Sequence, residues 1–197
     1  MISQRKKQIM TEATKIVNQK GLSALTMSLL AKNVGITEGA IYRHFSCKND
    51  LIMEILNDIF LETTNQIIEI ISQNLSNTEK LMKIMINQLS RFKKHPAQAS
   101  FLFSEEYFLT NHEIKMLVYS IITTVQLYLQ EIFEDGRLKG EFKSSIETRH
   151  TSMMFLGMVR MLVLNWKLSD YQWDLPTYGE NHFHNFIKMI EQKNLHN

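Results

Sequence analysis

The run Gly35-Ile36-Thr37-Glu38-Gly39-Ala40-Ile41-Tyr42-Arg43-His44-Phe45 carries side chains suited to reading a polyanion from one short helix. If residues 38–44 are helical, Ile36, Ala40, Ile41 and Phe45 form a buried face, and Thr37, Glu38, Gly39, Tyr42, Arg43 and His44 form the outer one. Arg43 can pair bidentately with the O6/N7 edge of a guanine. Tyr42, His44, Lys48 and the hydroxyl of Thr26 suit phosphate oxygens, and Gly39 lets the backbone come close. A helix this short needs a scaffold. Thr26 can cap a preceding helix over residues 27–33, Gly35 can supply the turn, and Thr37 can cap the second helix. Two helices crossing at ~90–120° over a 3–4-residue turn make a helix-turn-helix, and Ala31 is the small residue where they meet. Upstream lie Arg5, Lys6 and Lys7. Residues 1–50 hold eight Lys and Arg against three Asp and Glu, whereas the remainder holds fourteen against seventeen. The positive charge therefore sits beside the helix-turn-helix, and Lys6 joins the candidate phosphate contacts.

The same run, followed by Lys48 and Leu51, resembles the N-terminal domain of TetR/AcrR-type bacterial transcriptional regulators, with Tyr-x-His-Phe-x-x-Lys as its specific core. The resemblance covers roughly residues 5–60, and beyond them only residues 136–142 are similar. It implies a homodimer pairing through its last two long helices. Two recognition helices would then enter successive major grooves of a palindromic operator, with half-sites ~34–36 Å or a multiple apart. Position 47, often Ser, Asn or Asp in the family, is Cys here. At a helix N-terminus beside Lys48 a thiolate is favoured, so redox sensing is set against an inert small residue.

Composition bounds the rest. A chain of 197 residues, 44% hydrophobic and 21% charged, with two Pro and seven Gly, fits an all-α protein. A single Cys excludes an intramolecular disulfide and favours a reducing compartment. The N-terminus lacks the apolar segment of a signal peptide, and no apolar run reaches the ~18 residues of a membrane helix. A cytoplasmic protein is expected. There is no Gly-rich phosphate loop, nucleophile elbow or His-Glu-x-x-His, and Cys47 has no evident triad partner, so neither an enzyme nor a cofactor is expected. His182 and His184, two apart, would face about 160° from each other on a helix and make a poor metal pair.

In chain order the patterning predicts about nine helices. An N-terminal three-helix DNA-binding domain (residues 1–46) precedes a helical ligand-binding and dimerisation domain (47–197), and a helix over 47–74 links the two. Capping-box patterns at Ser76-x-x-Glu79 and Ser144-x-x-Glu147 open further helices. A loop is expected at 169–179 and a last helix at 180–193. Met82, Met85, Phe101, Phe103, Leu117, Ile121 and Phe155 are candidate walls of an adaptable apolar pocket, with His112, Tyr128 and Asn165 at its polar end. The helix over 146–168 is apolar nearly all round, which calls for cover on most sides. Met154, Met158, Met161 and Leu162, with the stripe Phe183, Phe186, Ile187 and Ile190, are therefore candidates for a dimer interface. Together these features describe a ligand-responsive, DNA-binding transcriptional repressor released by a small apolar or amphipathic effector. The alternatives are a DNA-binding protein of the same fold with a chromosome-organising output, and a small-molecule-binding helical bundle.

Overall fold

The computed structural model describes residues 3–192. Among them the chain forms ten α-helices and one 3-10 turn (Leu22–Ala24). The helices are α1 (Gln4–Lys20), α2 (Met27–Val34), α3 (Glu38–Tyr42), α4 (Lys48–Ile71), α5 (Asn77–Lys94), α6 (Pro96–Leu102), α7 (Glu105–Leu109), α8 (His112–Leu138), α9 (Thr148–Leu168) and α10 (Leu175–Ile190). No strand is present among the described residues, only an isolated antiparallel bridge between Phe142 and Glu191. The helices gather into two compact units whose extents differ from the division at residue 46. One holds the described residues up to Glu62 together with His95–Ser120, and the other Thr63–Lys94 together with the described residues from Ile121 onward. α4 and α8 contribute to both.

In the first unit Ser3 caps α1 by accepting the N–H of Lys6. Ile9, Ala13, Ile16 and Val17 are buried along one stripe, as their helical spacing requires. α1 packs on α2 and on α6, and α2 on α3. From Pro96 the chain forms two short helices, α6 and α7. Ser104 bonds its hydroxyl to the carbonyl of Ser100, an alternative that competes with the helical ladder at the break.

The second unit is built around aromatic rings. Phe133 and Phe155 lie 6.2 Å apart, and Phe155 lies 6.4 Å from Phe183 and 6.0 Å from Phe186. These edge-on arrangements suit the ring quadrupole. Phe183, Phe186, Ile187 and Ile190, expected at a dimer interface, are thus buried in this unit's own core, as is Leu162. α10 packs along α5 and begins at Leu175, where a loop was expected. Asp174 caps it by accepting the N–H of Thr177 at 3.1 Å, and Pro176 occupies its first turn. The Asp174 carboxyl also pairs with Lys93 of α5, and that bond, with those from Thr177, pulls its pKa down to about 2.

The Ser76–Glu79 box forms as expected, with Glu79 Oε2 accepting the Ser76 N–H and Ser76 Oγ accepting the Glu79 N–H. The Ser144 box does not. Residues around it are committed to pairing, Lys143 N–H to Ile190 O and Gln192 N–H to Glu141 O, so α9 starts at Thr148 with Glu147 as its cap residue. α8 is long and apolar enough to cross a membrane by length and composition, contrary to the reading of apolar runs. It buries Ile114, Val118, Leu129, Ile132 and Phe133 and leaves Met116, Tyr119, Ile122 and Leu127 exposed.

Gly136 lies inside α8, and the left-handed turn glycine is Gly140 (φ 74°). A Cβ on Gly136 would sit 2.3 Å from Phe142 Cε2 and 3.2 Å from the Cβ of Asn77. Both neighbours are fixed: Phe142 is buried, and the Asn77 amide donates to Asp135 (2.9 Å) and Glu141 (2.8 Å). Gly136→Ala should therefore destabilise the protein by about 1–3 kcal/mol, the cost of overpacking a filled core. Urea denaturation checks this, and an unchanged midpoint would show that the contact relaxes freely.

Candidate nucleic-acid interface

The recognition surface is built from two caps and one turn. Thr26 Oγ1 accepts the Leu29 N–H at 3.1 Å and starts α2. Gly35, left-handed at φ 75° and ψ 35°, ends it, with its N–H shared between Ala31 O (3.0 Å) and Lys32 O (3.3 Å). Thr37 Oγ1 then accepts the Ala40 N–H at 3.2 Å and starts α3. Both threonine hydroxyls act as acceptors here, so each keeps its O–H available to donate to a phosphate. Ile41 and Phe45 are buried, which fixes the rotation of α3. Thr37, Glu38, Gly39, Tyr42 and Arg43 are consequently exposed together, with His44 half-buried beside them. Only the Thr37 hydroxyl lies near the open side of Gly39, at 4.0 Å from an ideal Cβ, so intramolecular packing does not require a glycine there.

Two of the expected phosphate contacts are engaged within the protein. Lys6 Nζ pairs with Glu54 at 2.9 Å and lies 5.1 Å above the ring of Phe45. Lys48 Nζ donates to the carbonyl of Leu22 at 3.1 Å and lies 5.1 Å from the ring of Tyr107, and burial lowers its pKa. α4 lines up acids beside the basic arm of α1: burial, and then Glu54, raise the pKa of Asp58, against the pull of Lys7 and Lys6. Arg5 and Lys7 remain exposed. Sequence reasoning passed over Asn49 and Tyr107, whose hydroxyl donates to Asn49 Oδ1 at 2.7 Å, because 58 positions separate them.

The candidate pocket residues fall in both units: Phe101, Phe103, His112 and Leu117 in the first, and Met82, Met85, Ile121, Tyr128, Phe155 and Asn165 in the second. Met85, Phe101, Ile121 and Phe155 are buried in packed cores, Met82, Phe103, Leu117 and Tyr128 are half-buried, and His112 and Asn165 are exposed. The second unit has a void of about 10 Å³ between α4 and α5, lined by Thr63, Gln66, Ile67, Ile70, Ile84, Asn87, Gln88 and Arg91. None of the expected pocket residues is among them. Arg91 is buried there, donating to Thr63 (3.1 Å) and Gln66 (2.7 Å). Cys47 is exposed at the start of α4.

A capped two-helix unit with a buried apolar back and an exposed polar front defines a helix-turn-helix DNA-binding protein. Family models match almost the whole chain. One, described as bacterial regulatory proteins of the tetR family, covers residues 9–55, and one, described as YsiA-like protein, C-terminal region, covers residues 56–189. The chain belongs to the TetR family of bacterial transcriptional regulators and is a DNA-binding regulator, not an enzyme. It is similar to the fatty acid metabolism regulator protein of Bacillus subtilis, 22% identical over 94% of this chain and 95% of the relative. It is also similar to the nucleoid occlusion factor SlmA of Aliivibrio fischeri, 22% identical over 87% of both chains. The crystal structure of FadR from Bacillus subtilis in complex with stearoyl-CoA superposes with a TM-score of 0.82 at 22% identity, covering 92% of this chain and 97% of that one.

Arg43, exposed just after α3, is the candidate for base reading. Arg43→Ala should cost about 1–3 kcal/mol at the preferred site and relax specificity at one base pair. Competition with operators substituted one base at a time checks this. A loss equal for all sequences would instead mark Arg43 as a phosphate contact.

Proposed function

We propose that this protein is a homodimeric repressor that binds a two-fold symmetric operator and is released by an acyl-CoA or a similarly amphipathic effector. The observation that carries the DNA reading is the exposed face Thr37, Glu38, Gly39, Tyr42 and Arg43, held by Ile41 and Phe45 beneath. Arg43 reads a base, while Thr26, Thr37, Tyr42, His44, Lys48 and the Lys6 region hold phosphates. Such a regulator works on chromosomal DNA in the cytoplasm.

Dimerisation is supported by the outer row of α9. Met153, Met154, Met161, Leu164 and Leu168 are all exposed, by 45% to 73%, at spacings that align them on one side of the helix. A contiguous apolar row of this kind marks an interaction surface. A second copy related by a two-fold axis covers it with the same row. Met154, Met158 and Met161 belong to this interface, and the buried residues of α10 do not.

The effector class rests on the likeness to a fatty acid metabolism regulator and to a structure solved with stearoyl-CoA. Within this chain it is supported by the Met- and Phe-rich cores and by the polar void at Gln66, Asn87, Gln88 and Arg91, which suits a polar group. A space of about 10 Å³ takes one water, so an acyl chain enters by parting side chains. Because α4 contributes to both units, a ligand in the second can bias the first through that helix. It does so only if it favours the non-binding arrangement.

The test is a binding titration with DNA selected by the protein from a random pool. One dimer should bind each palindrome, and palmitoyl- or stearoyl-CoA should weaken binding about 5- to 150-fold, the range of ordinary allosteric coupling. An equal affinity for random DNA would overturn the operator. Operator binding indifferent to acyl-CoA, with many genomic sites, would instead favour the chromosome-organising alternative, in line with the likeness to a nucleoid occlusion factor.

A further inference from the structure

Lys48 opens α4 directly after the recognition helix, in the first unit. An ammonium on open surface there keeps its water. This one is folded back: Nζ donates to the Leu22 carbonyl at 3.1 Å, and the Tyr107 ring lies 5.1 Å away. Tyr107 is pinned in turn, its hydroxyl donating to Asn49 Oδ1 at 2.7 Å. The 3-10 turn, the start of α4 and the distant helix α7 thus close around a single cation. Burial, and then the nearby Cys47, raise the phenol pKa, so Tyr107 stays a neutral donor at physiological pH.

α7 suits a reversible contact. It has five residues, and no side chain caps its N-terminus. A helix that short has little stability of its own, so its position depends on docking. Phe108 is its buried anchor, while Leu109 next to it is exposed.

We propose that Tyr107 is a positioning residue for the DNA interface: docked on Asn49, it keeps Lys48 folded back on the Leu22 carbonyl, and operator binding draws Lys48 out to a phosphate at the expense of that contact. The proposal rests on reading Lys48 as a phosphate contact. It makes α7 docking and operator binding compete. By reciprocity, whatever tightens α7 on Asn49 loosens DNA, and operator DNA loosens α7 equally.

The experiment uses the full-length protein and a selected operator, with affinity measured across a salt series. Tyr107→Leu should bind about three- to tenfold tighter at an unchanged salt slope, because Lys48 reaches its phosphate in both bound complexes, whereas Lys48→Ala should flatten the slope by about 0.9 per half-site. The gain should vanish in Tyr107→Leu combined with Lys48→Ala. Asn49→Ala, which removes the same bond from the α4 side, should shift affinity in the same direction and keeps the test open if Tyr107→Leu misfolds. Without DNA, the acetylation rate of the Lys48 amine, followed by mass spectrometry, should rise severalfold in either variant. Unchanged or weaker binding by Tyr107→Leu, or a gain that survives Lys48→Ala, would overturn the proposal. Should the unmodified protein select no operator, the functional reading fails, and the acetylation rate alone decides whether Tyr107 holds Lys48.

Discussion

The placement of the proposed recognition helix depends on one left-handed residue. α3 has five residues and cannot persist alone, because a single turn of helix fixes more torsions than its hydrogen bonds repay. Gly35 solves this by reversing the chain at φ 75°, with its own N–H and that of Ile36 returned to Ala31 O. The Thr37 cap and the buried Ile41 and Phe45 then fix where α3 begins and which way it faces. Nothing lies within 4 Å of an ideal Cβ on Gly35, so the requirement for glycine is purely conformational.

Charge follows the same economy. The basic excess of the first fifty residues is not simply displayed to solvent. Lys6 is held by Glu54 and Lys48 by Leu22 and Tyr107, whereas Arg5, Lys7 and Arg43 remain exposed. An interface with some cations already engaged binds DNA less tightly than its formal charge suggests. Its affinity can then be set by rearrangements within the first unit, which contains both the recognition helix and α7.

The two helices of the helix-turn-helix were legible because their signals are local: Thr26 and Thr37 cap, Gly35 terminates, and each acts within a few residues. The family was legible for the same reason, since its specific residues lie in one continuous run. Pairings between distant segments were hidden. Ser144 carries a correct capping pattern, yet backbone bonds to the end of α10 delay the helix. The periodicity of residues 183–190 marks an apolar stripe without saying whether the stripe meets its own core or another chain, and the core takes it. Met154 and Met161 have the same chemistry and face outward. The contact between Tyr107 and Asn49 leaves no trace in linear spacing.

Operator affinity in Gly35→Ala, beside the far-UV helicity and the main unfolding transition of the same variant, decides whether the left-handed turn controls DNA binding. Alanine meets no neighbour at this position but is strained at a positive φ by about 1–2 kcal/mol. If the left-handed turn is what delivers α3 to DNA, operator binding falls at least about tenfold while the helicity and most of the stability of the chain persist. Wild-type operator affinity in a folded Gly35→Ala protein would contradict the account.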